Sequence, residues 1–215
     1  MIEQILVGTQ DAPNGAALRV EPAQERSLAR IDALLDAAAN VVDEVGFDRL
    51  TTAQVAELAG ASIGTVYRYF PDRIALLVAL RDRAVLRYRI AAAEAIETAQ
   101  PATWQDAITC LADEFATMFR IEPGFRIMRF EEVRGVDEDT PVVDHVHEFA
   151  ERVAEILASR YGFTHDDELV FHLDIASQMA EALTERAHLR QQHGDERTLR
   201  EASVVAVAYL EKYYA

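Results

Sequence analysis

A single cysteine, Cys110, stands among the 215 residues, so no disulfide can close within the chain and a reducing cytoplasm is its natural setting. In an apolar helical stretch a lone thiol serves as a small hydrophobe. No run approaches the roughly 18 uninterrupted apolar residues of a membrane span, and the first residues lack the basic and apolar regions of a secretory signal. A soluble cytoplasmic chain that touches no membrane is therefore expected. Strand-like alternation is missing throughout, and no internal repeat is evident. Ser-His-Asp, P-loop and glycine-rich dinucleotide signatures are missing as well, so we expect no catalytic residue, no resident metal and no cofactor.

Positive charge is scarce overall, with a formal net charge of −16, which taken alone argues against a polyanionic partner. Its distribution reverses that inference. Residues 26–90 carry nine arginines against eight acids, a local +1, whereas residues 91–215 hold −14. A neutral-to-basic front on an acidic body keeps non-specific adhesion low while a few arginines can still meet phosphates.

Half of the residues are hydrophobic, and they recur at helical spacing, so the fold class is all-α. Residues 1–24 are the exception: Asp11, Pro13, Asn14, Gly15 and Pro22 interrupt them, and we expect a mobile arm or one laid on the body. From Ser27 to Val45 a stripe of Ile31, Leu34, Leu35, Ala38, Val41, Val42 and Val45 predicts a helix that Gly46 ends. Residues 73–99 predict a long helix with arginines at 81, 83, 87 and 89. After Pro101 further helices are expected at about 103–121, 125–134, 141–161, 166–191 and 196–213, separated by Pro and Gly breaks.

The stretch from Leu50 to Leu77 is the most informative. Thr51 with Gln54 has the form of a capping box opening a helix at Thr52. Val55, Ala56, Leu58 and Ala59 give that helix an apolar face, and Gly60 supplies the left-handed exit. Ser62 can cap a second short helix whose inward residues are Val66 and Phe70, leaving Ile63, Gly64, Thr65, Tyr67, Arg68 and Tyr69 outward or sideways. Pro71 breaks the pattern, and Asp72 can cap the long helix that follows.

The Leu-Thr entry, Ala56, Ala59-Gly60, Ser62-x-Gly64-Thr65-x-Tyr67-x-x-Phe70 and a basic residue at 73 before Leu76 resemble the helix-turn-helix of the TetR-type family of transcriptional repressors. Arg73 stands where lysine is common, and Asp72 where serine or asparagine is more usual. The resemblance covers about a quarter of the chain and implies a helix-turn-helix domain at 25–72, followed by a helical effector-binding and dimerisation domain at 73–215. It further implies a double-stranded operator as partner, with Ser62, Ile63, Gly64 and Tyr67 meeting base edges. Thr51, Thr52, Thr65, Tyr69 and Arg73 would meet phosphates, and Arg68 could do either.

In the body, Trp104, Phe115, Met118, Phe119, Met128, Phe149, Phe171 and Met179 form an excess of adaptable apolar side chains. Each alone reads as core, but together they suit a pocket for a small-molecule effector, which the resemblance places in this domain. Leu169, Leu173, Ala176, Ala180, Leu183 and Ala187, with Leu199, Ala202, Ala206, Tyr209, Leu210 and Tyr213, make two seams rich in small side chains. They can serve the intrachain core or a homodimer through the last two helices; the two-fold partner that the resemblance implies favours the dimer. Asp144-x-x-His147 and Glu185-x-x-His188, with His145 and His172 nearby, could hold a metal in a helical-bundle protein or enzyme, the alternative function. That spacing also arises by chance in a Glu-rich chain, and surface residues are the plainer alternative.

Overall fold

The computed structural model describes residues 1–7, 22–128, 145–189 and 194–214, with the side chains of 22–25 left aside. Among the described residues the secondary structure is helical: α1 (Ile2–Val7), α2 (Pro22–Val45), a 3-10 turn (Phe47–Arg49), α3 (Thr52–Leu58), α4 (Ile63–Tyr69), α5 (Arg73–Ala99), α6 (Trp104–Ile121), α7 (His145–Tyr161), α8 (Asp167–His188) and α9 (Glu196–Tyr214). No helix among them is long and apolar enough to cross a membrane. The chain divides into two compact units. One comprises 13–86 and 122–140; the other comprises 1–12, 87–121 and 141–215. The break falls inside α5, not at its start, so the first half of that helix belongs with the helix-turn-helix.

Local chemistry sets most helix ends. Thr51 and Gln54 form the reciprocal capping box, the Thr51 N–H donating to Gln54 Oε1 at 2.8 Å and the Gln54 N–H to Thr51 Oγ1 at 3.2 Å. Ser62, Asp72, Thr103, Asp166 and Asp195 each accept a backbone N–H three residues on, satisfying donors that a helix N-terminus otherwise leaves without partners. Gly60, at φ +59, turns the chain between α3 and α4, a conformation in which a side chain is strained.

In the first unit the core is built from Leu34, Leu35, Ala38, Val41 and Val42 of α2, Leu50, Val55 and Ala56 of the turn and α3, Val66 and Phe70 around α4, and Leu76, Leu77 and Leu80 of α5, all buried. Arg83 of α5 pairs with Asp36 of α2 at 2.7 Å. The 3-10 turn over 125–128 packs on α2 through Gly124, which takes the place expected for the start of a helix at 125–134. Its N–H donates to Asp43 Oδ2 at 3.0 Å. At φ +74, a Cβ on it would lie 2.7 Å from both Cα and Cβ of Ala39. Residues 129–134 of that expected helix, Phe130 included, lie outside the described residues.

The second unit is a bundle in which α8 packs on α9 and α7, and α6 on α9. The small-residue seams found in the sequence are its inner faces. Leu169, Leu173, Ala176, Ala180, Ala187, Ala202, Ala206 and Leu210 are all buried within one chain, where small side chains let α8 and α9 approach closely. Part of the N-terminal stretch is also structured. Ile2, Leu6 and Val7 of α1 are buried, α1 packs on α7, and Arg152 donates to the Ile5 carbonyl at 2.8 Å. Six residues are too few to show periodicity, so this helix was not expected in the stretch 1–24.

Candidate nucleic-acid interface

The helix-turn-helix places the expected residues as two sets. Val66 is fully buried and anchors α4, while Ser62, Ile63, Gly64, Tyr67 and Arg68 are exposed. Ile63 is 48% and Tyr67 49% exposed, an amount of apolar surface on a seven-residue helix that water alone does not favour. Gly64 adds no side chain to this face, and a Cβ there would meet nothing nearer than Ser62 Oγ at 3.8 Å. The face is open to close approach.

Position is fixed by hydroxyls. Ser62 Oγ accepts the Thr65 N–H at 3.1 Å and lies 2.9 Å from Thr65 Oγ1. Thr52 is buried and donates to the Tyr67 hydroxyl at 3.3 Å, so α3 orients the outermost ring of α4. Thr51 spends its hydroxyl on the capping box. Arg68 donates to the Tyr69 hydroxyl, and its guanidinium lies 4.8 Å from the centroid of the Tyr69 ring.

Arg73 sits differently from the phosphate contact that the resemblance implies. Its Nε donates to the Leu50 carbonyl at 2.9 Å, and its Nη2 to the Phe47 and Asp48 carbonyls at 2.6 and 3.0 Å. Two of the three guanidinium nitrogens thus hold the turn before α3. A planar fork can hold several carbonyls at once, which a lysine ammonium cannot match.

The aromatic and methionine set of the body is not one group. Tyr88 stands 5.2 Å from Phe115 and 5.2 Å from Phe149, Phe115 5.6 Å from Phe119, and Phe119 5.1 Å from the ring of His188. Met118 is buried on the same helix as Phe115 and Phe119. The Tyr88 hydroxyl donates to the Leu111 carbonyl at 3.1 Å, and burial pushes its pKa up. Tyr88 was not singled out in the sequence because it lies on the helix assigned to linkage, among arginines. Trp104 belongs elsewhere, 5.8 Å from Phe163. Phe171 is 57% exposed and faces outward, Met179 is half-buried on α8, and Met128 lies in the other compact unit.

The described members of the histidine pairs sit in different surroundings. His188 is buried, its Nδ1–H donating to the Thr184 carbonyl at 2.8 Å, whereas His147 is half exposed beside Glu151 and Asp174. His172 is buried, stacked on Tyr213 at 3.9 Å with its Nδ1 2.8 Å from the Tyr214 hydroxyl. Asp144 lies outside the described residues. Among the described residues no cluster of three or more His, Cys, Asp or Glu could hold a metal ion.

Comparison with known proteins agrees with this geometry. Residues 34–80 match the family model described as bacterial regulatory proteins, tetR family, and residues 102–214 that described as tetracyclin repressor-like, C-terminal domain. The HTH-type transcriptional repressor KstR of Mycobacterium tuberculosis is 32% identical over 83 residues, 36% of this chain, and the match spans 38% of KstR. A crystal structure of a TetR-family transcriptional regulator from Streptomyces coelicolor is similar over 85% of this chain and 98% of its own, at 33% identity and a TM-score of 0.70. A TetR transcriptional regulator from Rhodococcus sp. RHA1 shares the fold at 19% identity, with a TM-score of 0.60 over 87% of this chain and 99% of its own. With a family model matching more than half of its length and the helix-turn-helix built as described, the chain belongs to the TetR family of bacterial regulatory proteins.

Proposed function

We propose that the protein is a cytoplasmic homodimeric repressor that is released from a palindromic operator by a small, largely apolar effector. The observation that carries this is the outer face of α4, where Ile63 and Tyr67 stand half exposed around Gly64 while Val66 is wholly buried. An apolar side chain there suits a thymine methyl, and the absence of a side chain at 64 lets backbone approach base edges. Thr65, Tyr69 and Arg68 surround this face as polar groups suited to phosphates, whereas the Thr51 hydroxyl serves the capping box and Thr52 is buried against Tyr67.

A second copy supplies the other half-site. With the small seams spent inside the chain, Phe171 and Ala182 of α8, Leu189 just after it, and Val204 and Ala208 of α9 are exposed, with Ile175 half-buried between them. Large exposed apolar side chains on two adjacent helices suit a four-helix interface. The two α4 helices must then sit about 34–36 Å apart to enter successive major grooves. An effector held beside Tyr88, Phe115, Phe119 and Phe149 would favour another head spacing through α5, the helix that continues from one unit into the other. Operator and effector then compete reciprocally.

Selection of duplexes from random DNA tests the central claim. Ile63→Ala and Tyr67→Ala each change the preferred bases, discriminating by about 1–3 kcal/mol per altered contact. Unchanged selection by both variants sinks the assignment of α4, and a protein that sediments strictly as a monomer at micromolar concentration sinks the dimer.

A further inference from the structure

Beside α4 lies a notch of about 400 Å³ lined by Arg26, Ser27 and Arg30 of α2 and by Thr65, Arg68 and Tyr69 of α4. Every one of these side chains ends in a cation or a hydroxyl, and no carboxylate is among them. Arg26 and Arg30 are one helical turn apart and therefore share a face of α2, and both are exposed, as is Arg68. Ser27 Oγ reaches toward the Tyr69 hydroxyl at 3.5 Å, and Arg68 donates to the same oxygen. Those two hydrogen bonds, with the charges of Arg68 and Arg30, hold the Tyr69 phenol below its usual pKa. Negative charge placed at this spot is stabilised.

We infer that this notch is a seat for a backbone phosphate of bound duplex DNA, with Arg26 and Arg30 of α2 adding to the charge of Arg68 on α4. The inference rests on the regulator assignment above and adds residues outside 51–73 to the interface. Two observations support it. Arg73, the cation expected to hold a phosphate, is committed to three backbone carbonyls. The chain as a whole is at −16, so attraction to a polyanion has to be concentrated where arginines cluster without acids. A phosphodiester in the notch would take Arg26 and Arg30 from one side and the Thr65 hydroxyl and Arg68 from the other. This fixes the position of α4 along the groove without reading a base.

The test uses the whole 215-residue chain and a duplex that the wild-type protein itself selects from genomic fragments. Affinity is followed by fluorescence anisotropy over a potassium chloride series. Stripping both arginines from this one phosphate with the Arg26→Ala/Arg30→Ala pair flattens the slope of log affinity against log salt by about 1. The preferred sequence stays the same, and affinity for a random duplex falls in proportion. Arg30→Lys keeps most of the slope, and Arg200→Ala on α9 leaves it unchanged. Unfolding curves that coincide with wild type show that the loss is not one of folding, as expected for exposed side chains.

A double variant with the wild-type slope overturns the notch while leaving the α4 assignment standing. So does stoichiometric binding of inorganic phosphate or pyrophosphate at fixed ionic strength without any slope change, which would make the notch a seat for a free anion. A wild-type protein that retains no duplex at low salt removes the regulator assignment and the notch together.

Discussion

Arg73→Ala separates two roles for one side chain. As a phosphate ligand, Arg73 would contribute to DNA affinity and almost nothing to stability; as a clamp, it holds the turn before α3. Its three hydrogen bonds run to the carbonyls of Phe47, Asp48 and Leu50 at 2.6 to 3.0 Å, two of them part-buried and one exposed. Hydrogen bonds to a charged group contribute about 1.5–3 kcal/mol each when shielded, and much less where water can replace the donor. Leu50 is buried beside one of these carbonyls, so water replaces that bond poorly. Counting the two part-buried bonds at the low end and the exposed one as nothing gives a loss of about 3 kcal/mol. The helix-turn-helix unit should then unfold at lower urea, with early hydrogen exchange in amides 47–55. Arg73→Lys restores less than half, since an ammonium lacks the fork. If Arg73→Ala leaves the urea midpoint and exchange protection unchanged but flattens the salt dependence of DNA binding by about 1, the clamp reasoning is refuted.

Gly124→Ala puts a Cβ 2.7 Å from the backbone and side chain of Ala39 at φ +74, combining conformational strain with overpacking against helix backbone. A loss of about 2–4 kcal/mol is expected in thermal melts, and a variant as stable as wild type would show that the turn after α6 is not seated on α2. For Glu148, burial raises the pKa, but hydrogen bonds and charges from Arg89 and Arg152 outweigh it and hold the carboxyl at about 2 against an ordinary 4.5. A lowered folded pKa means that this stabilisation is complete above about pH 5 and is lost as the pH falls toward 2. Discounted for partial exposure it is roughly 1–2 kcal/mol. Melts between pH 7 and 2 should show Glu148→Gln with a shallower acid decline than wild type, and parallel declines would remove the claim.

How much of this was legible in the sequence depended on the range of the interaction that decides each feature. Thr51 with Gln54, Gly60, Ser62 and Asp72 act on backbone within four residues, so their caps and turns could be assigned from spacing alone and appear as assigned. Val66 and Phe70 could likewise be told from Ile63 and Tyr67, because a short helix with one buried face leaves no other arrangement. The direction of Arg73 could not. Whether a guanidinium turns outward to a phosphate or back to a carbonyl depends on where residues 47–50 lie in space, more than twenty positions earlier. The same holds for Arg26 and Arg30, visible as neighbours on α2 but not as neighbours of Tyr69.

The seams of α8 and α9 show why residue type alone leaves a surface unassigned. Ala176, Ala180, Ala202 and Ala206 suit any close helix pair, within a chain or between chains, and the energetics of the two cases are alike at the level of side-chain packing. What decides is the remaining circumference of each helix. Once the alanine faces meet inside the chain, the outward side of α8 must be whatever lies about half a turn away, which leaves Phe171 exposed and Ile175 half-buried, with Ala182 and Leu189 exposed further along. Four apolar positions on a solvated helix face are more than a soluble surface tends to leave uncovered. In the proposed dimer, the phenylalanine that the sequence suggested for a ligand pocket would meet another copy of the chain. Losing it should alter the oligomeric state before it alters effector binding, an order that sedimentation and ligand titration of Phe171→Asp can establish directly.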